Sequence, residues 1–320
     1  MAPDDTVATD QASDARIAAQ APHGPREARL LRLVTASAVA LAVSLVAIKA
    51  WAWWLTDSVA VLSTAVDSLL DAGASLLNLL AVRHALKPPS RKFRFGHGKA
   101  EAIAGLGQAI FISGSAVYLM FEAVQRLANP QPLPNGAIAI GVMVVSIVLT
   151  IALVLFQRHV VRQTASLAVR GDSVHYTSDV LVNTGVIVAI LAVGATGQLW
   201  VDSVVGGAIA LFILWSARTI ARDAILMLMD REMPEGDRQR IRAIALAHAE
   251  VGSLHDLRTR LSGPTVFIQM HLEMDGDMSL RRAHQIADEV EAEIIAAFPT
   301  AEVLIHEDPE GEEEPPPRLA

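Results

Sequence analysis

Two four-residue spacings carry the chemistry: Asp67-Ser68-Leu69-Leu70-Asp71 and His175-Tyr176-Thr177-Ser178-Asp179. Both lie inside long apolar stretches. On a helix, residues four apart share one face, a turn above each other. Each pair is therefore a two-toothed ligand edge. Two such edges facing each other present one imidazole and three carboxylates, enough for a tetrahedral divalent-metal site. With His175 neutral the quartet carries three negative charges when empty, and a divalent cation leaves one. Protons compete for the same ligands, His175 foremost, because an imidazole titrates near neutral pH. Metal moving one way can thus be exchanged for protons moving the other. Ionisable groups inside membrane helices are costly and mark functional sites. A single intramembrane Asp could be a helix-helix hydrogen bond; two pairs on two spans are not accounted for that way. The ligand set suits zinc, ferrous iron, cadmium or cobalt, and offers no sulfur for copper(I).

A second group lies near the C-terminus: His255, Asp256, His271, His284, His306 and Asp308. Surface histidines are commonly just solvated, but four within about fifty residues at strand ends point to metal. His306 and Asp308, two apart, project to the same side of an extended strand. His248 is read as an ordinary surface residue. A third motif, Phe95-Gly96-His97-Gly98-Lys99-Ala100-Glu101, places His97 in a loop with no partner in its own motif. Lys99 is a candidate to pair with Asp230.

The elements that must hold these residues follow from composition. The chain has 320 residues, 52% of them hydrophobic, and the apolar excess is concentrated between Leu30 and Met229. Six segments are long enough to span a bilayer at roughly 20 residues each. They run at about Leu31–Leu55, Val59–Ala85, Ala102–Leu127, Ala137–Phe156, Ser173–Val193 and Val201–Leu226. The second carries Asp67 and Asp71, the fifth His175 and Asp179. Trp51, Trp53 and Trp54 read as an interfacial belt where Lys49 can snorkel. Basic residues crowd alternate connections: Arg26, Arg29 and Arg32; Arg83 to Lys99; Arg158, Arg162 and Arg170; Arg222 and Arg231. The other three connections hold no Lys or Arg, with Arg126 near a helix end the exception. The positive-inside rule puts both termini in the cytoplasm.

From Asp230 the composition becomes that of a soluble domain. Pro234 suits a first helical position, and Glu235 to Glu250 reads as a helix. Strands follow at His255–Leu261 and Thr265–Met274, split by the turn Ser262-Gly263-Pro264. A helix at Leu280–Phe298 and a strand at Glu302–His306 complete the order. The fold class is a membrane all-α six-helix bundle plus a C-terminal cytoplasmic α+β domain of αββαβ order. The division is 1–29 disordered, 30–229 membrane, 230–308 metal-binding and 309–320 an acidic, Pro-rich disordered tail. Cysteine is absent, so there is no disulfide or thiolate site. No basic patch with interleaved aromatics suggests nucleic acid.

The quartet, the Phe95–Glu101 motif, Phe111-Ile112-Ser113-Gly114-Ser115 and His255-Asp256-Leu257-Arg258-Thr259-Arg260 together resemble the cation diffusion facilitators. The likeness lies with their bacterial zinc and ferrous-iron efflux members and covers about Arg29 to Pro309. The resemblance implies a homodimer of six-span protomers in the bacterial inner membrane, exporting a divalent metal for protons, with no enzymatic step and no organic cofactor. It assigns Asp67, Asp71, His175 and Asp179 to the transport site. It assigns His255, His271, His284, His306 and Asp308 to a site between the two soluble domains, and Lys99 with Asp230 to a charge interlock. Members often carry a further loop site of one Asp and two His. Here those positions read Ser90, Phe93 and His97, so that site is expected to be absent or very weak. Two other classes remain as alternatives. One is a metal-sensing dimeric scaffold without transport, for which a membrane quartet is superfluous. The other is a membrane metallohydrolase, for which no open coordination position or spare base is visible.

Overall fold

The computed structural model describes residues 24–56, 59–128, 137–197 and 200–311. The chain divides into two compact units, Met1–Leu226 and Met227–Ala320.

The first unit is helical. Its elements are α1 (Pro25–Thr56), α2 (Val59–Ala85), α3 (Lys99–Ala128), α4 (Ala137–Thr164), α5 (Leu167–Thr196) and α6 (Trp200–Leu228). Among the described residues, four stretches are long and apolar enough to cross a membrane: Arg26–Leu55, Lys99–Ala128, Met143–Thr164 and Ser203–Leu228. The two helices that fall outside that group, α2 and α5, are those carrying the ionisable pairs. α1 begins at Pro25, earlier than expected, because proline is favoured in a first helical turn. The expected disorder of the N-terminus therefore ends before Arg29, and the rest of it, 1–23, lies outside the described residues. α5 also starts earlier than the apolar run suggested. Glu101 of α3, 2% exposed, accepts a hydrogen bond from the backbone N–H of Leu167 at 3.2 Å. That carboxylate satisfies one of the orphan donors at the start of α5.

Apolar contacts join the helices in layers. Leu31 and Val34 of α1 meet Val82 of α2, Val160 of α4, and Ala168 and Val169 of α5. Ala109, Ile112 and Ala116 of α3 meet Ile213, Ala217 and Ile220 of α6. Lys49 is turned inward and donates from Nζ to Ser68 Oγ at 2.7 Å. It does not simply snorkel; a hydroxyl on the adjoining helix gives its ammonium a nearer acceptor.

The second unit holds α7 (Glu235–Leu246), β1 (Ser253–Ser262), β2 (Thr265–Met274), α8 (Leu280–Ala297) and β3 (Ala301–Pro309). Pro234 stands at the N-cap of α7, one place before the expected position, and the helix stops at Leu246, short of Glu250. β1 pairs antiparallel with β2, and β2 parallel with β3. The hairpin turn uses Gly263 at φ 59°, a left-handed conformation that glycine adopts without steric cost. Alternation along β2 sends Val266, Ile268, Met270, Leu272 and Met274 to one face, against Ile241 of α7 and Ile286, Val290 and Ile294 of α8. The opposite face carries Phe267, Gln269, His271 and Glu273. Residues 312–320 of the expected acidic tail lie outside the described residues.

Candidate metal centres

In the helical unit, α2 brings Asp71 to α5. Asp71 Oδ1 lies 3.2 Å from His175 Nε2, and Asp179 Oδ2 lies 3.8 Å from the same nitrogen. One ligand atom from each of the three falls within 4.8 Å of the others. Two donors on a tetrahedral zinc ion stand about 3.3 Å apart, so these separations need little adjustment. His175 is 4% exposed, and carboxylate oxygens of Asp71 and Asp179 both face its Nε2. Its neighbours fix the ring. Phe111 of α3 meets it edge-on at a centroid distance of 5.6 Å. The next residue, Tyr176, is locked by its hydroxyl to Ser75 Oγ at 2.8 Å and donates to the Ala38 carbonyl at 3.3 Å. α1, α2 and α5 are thereby tied one residue from the ligand. Asp67 lies on α2, one turn before Asp71, and its side chain is outside the described residues.

In the soluble unit, the strand register builds the second centre. His255 of β1 is paired with His271 of β2, and His271 with His306 of β3. The three imidazoles thus form one row across three strands, with ring centroids 5.0 Å and 4.7 Å apart. Asp308, 12% exposed at its side chain, joins them. Its Oδ2 lies 2.8 Å from His271 Nδ1 and 3.5 Å from His255 Nε2, and its Oδ1 lies 3.2 Å from His306 Nε2. His255, His271 and Asp308 form the compact ligand set. His306 reaches Asp308 but is more exposed. His284, on α8, is 70% exposed and lies 3.8 Å from Glu307 and 3.7 Å from Asp288. It stands outside that compact set.

One carboxylate escaped the sequence reading. Glu273 Oε1 lies 3.4 Å from His255 Nδ1 and adds a carboxylate to the row. Its position two residues after His271 on one strand was the available signal. Asp256 sits in a bulge between His255 and Arg258, at φ 46°. Its carboxylate takes up Arg258 at 2.8 Å and raises that guanidinium's pKa above its ordinary value, and its Oδ2 lies 4.0 Å from His271 Nε2, beside the row. His248 pairs with Glu289 at 2.9 Å and is not part of the compact set.

His97 does have a neighbour. Its ring meets that of His84, at the end of α2, edge-on at 4.7 Å, and Phe93 at 4.8 Å. Ser90 and Phe93 form an isolated bridge that closes this loop. Lys99 opens α3. Asp230, at φ 54°, has Arg260 Nη1 3.4 Å from its Oδ1.

A helical bundle with a carboxylate-imidazole cluster inside it, followed by an αββαβ unit with a histidine row, defines a class: membrane proteins that move cations. The chain belongs to the cation efflux family. The family's cation efflux transmembrane domain matches residues 34–229, and its cytoplasmic domain matches residues 233–310. The cation-efflux pump FieF of Salmonella choleraesuis (strain SC-B67) is 46% identical over 283 residues, covering 88% of this chain and 93% of that protein. The FieF pump of Salmonella arizonae is 45% identical over the same length, with the same coverage of both chains. Among solved structures, the metal-bound C-terminal domain of the CzcD transporter from Thermotoga maritima is 30% identical. It covers 26% of this chain and all of that one, with a TM-score of 0.25.

Proposed function

We propose that this protein exports a divalent metal, zinc foremost, from the cytoplasm in exchange for protons. Ferrous iron, cadmium and cobalt fit the same donors. The observation that carries the reading is the Asp71–His175–Asp179 cluster between α2 and α5, with Asp67 one turn away. Two carboxylates and a neutral imidazole attract a divalent ion. The same three groups bind protons, so loading one cargo disfavours the other. In this reading all six long helices of the first unit span the bacterial inner membrane, with both termini cytoplasmic as the basic connections require. The name of the relatives, cation-efflux pump, supports the outward direction. The protein works as a homodimer whose soluble units hold metal through His255, His271, His306 and Asp308, with His284 reached from the partner. Lys99 and Asp230 form a charge interlock.

The test is zinc flux in proteoliposomes under an imposed pH gradient, wild type beside Asp71→Ala. Gradient-dependent flux that the substitution abolishes is the expected result. Absence of flux for every metal tried, in protein that still binds zinc, would replace this reading with a metal-sensing scaffold.

A further inference from the structure

A buried carboxylate one turn from the membrane cluster takes no part in it. Asp172 precedes His175 by three residues on α5 and is 1% exposed. Gln108 of α3 donates from Nε2 to its Oδ1 at 3.2 Å, and Gln157 of α4 donates from Nε2 to its Oδ2 at 2.7 Å. Asn78 of α2 lies beside the same carboxylate. All three amides are buried: Asn78 is 2% exposed, Gln108 5% and Gln157 0%. Their carbonyl oxygens Asn78 Oδ1, Gln108 Oε1 and Gln157 Oε1 are each buried with no donor. A simple tie between helices uses only the amide hydrogens. It leaves three orphaned acceptors, each costing about 1–3 kcal/mol. Such a cost on three amides around one carboxylate indicates that something electropositive meets those oxygens.

Side-chain amides have nearly the same shape when turned over, and rotation of the terminal bond exchanges oxygen for nitrogen. In one setting the NH2 groups hold the carboxylate of Asp172. In the other, the carbonyl oxygens and the carboxylate surround a cation. We propose that Asp172, Asn78, Gln108 and Gln157 form a second, all-oxygen cation station, nearer the start of α5 than the His175 cluster. Two of the four residues border a cleft of about 600 Å³ between α2 and α3 whose other walls are mostly apolar. Asn78 and Gln108 line its middle, His84 and Ala100 one end, and Leu70 and Phe111 the other. Phe111 is the ring that meets His175. Oxygen donors alone grip a zinc-like ion less firmly than an imidazole set does and take harder ions such as manganese readily. A station on a conduction path must hold its ion loosely enough to release it. The route to the cluster rests on the transport reading; binding at the station does not.

The test is binding of manganese(II) to the full chain in detergent, followed by the loss of the free-ion electron paramagnetic resonance signal. The chain carries Asp71→Asn, His175→Ala and Asp179→Asn in the cluster and His271→Ala in the soluble unit. One residual saturable ion per chain is expected, lost on adding Asp172→Asn and tightened by Gln157→Glu, which places a second charge in the pocket. No residual ion, or one untouched by both substitutions, overturns the proposal and leaves the node a helix tie. Should Asp172→Asn fail to fold, Gln157→Glu decides alone, and unchanged affinity overturns the proposal. Flux by the wild-type chain is measured in parallel. Flux without the residual ion sinks this inference only, whereas a residual ion without flux sinks the transport reading only.

Discussion

Asp308→Asn is the most informative single change in the soluble unit. The carboxylate reaches three imidazoles, at 2.8, 3.5 and 3.2 Å. The amide is the same size and sits on the face of the sheet away from the core, so packing is preserved. What is lost is one formal charge and an anionic donor at the centre of the row. Removing a partner that only orients a ligand weakens metal sites by about 10–100-fold. A group that itself faces the metal position belongs at the upper end, about 100-fold, equivalent to about 2.7 kcal/mol. Zinc affinity is read by competition with a fluorescent chelator, using full-length protein carrying Asp71→Asn so that the membrane cluster contributes little. Because bound ligand stabilises the folded state by RT ln(1 + [L]/Kd), zinc-dependent hydrogen-exchange protection of β3 should drop by the same factor when free zinc stays well above both dissociation constants. An unchanged zinc affinity would refute the assignment of Asp308 as the residue that unites the row.

Ile286→Ala empties a fully buried position in the α8-sheet core. It should cost about 2–5 kcal/mol in urea unfolding of the soluble unit, with zinc affinity of the folded protein unchanged. Arg282 hydrogen-bonds Glu250 and holds that carboxyl below its ordinary pKa. A depressed carboxylate stabilises the fold above its unfolded pKa, and the gain disappears as pH falls through the folded value. Arg282→Gln should therefore return Glu250 toward the ordinary range in an NMR titration and shrink the stability lost between neutral and acid pH; a titration curve that does not move would contradict the pairing.

The spacing of Asp71, His175 and Asp179 was legible because a helix converts sequence distance into geometry directly. The αββαβ order was legible for a similar reason, since β2 alternates without interruption. The histidine row was only partly so. That four histidines cluster can be read from their number, but which of them share a rung depends on strand register, and His284 dropped out because α8 holds it apart from the compact set. The Asp172 node left no local signal at all. Its members sit at positions 78, 108, 157 and 172, on four helices, and no periodicity links them. Asp172 also fell just outside the expected fifth span, because the apolar run begins later than the helix that Glu101 caps.

The order in which the soluble unit can assemble has a consequence for its metal chemistry. His255 and His271 belong to one hairpin and meet as soon as it closes. His306 and Asp308 arrive on β3, an edge strand that reaches the sheet only after α8 has crossed over it. Parallel pairing of that kind closes a longer loop than the hairpin does and comes late in folding. A metal held by the full row would therefore fasten the strand that is last to join and first to leave. In cells short of metal, the edge of the sheet is the part of the protein that would fray, and the supply of cargo would set how firmly the unit is closed.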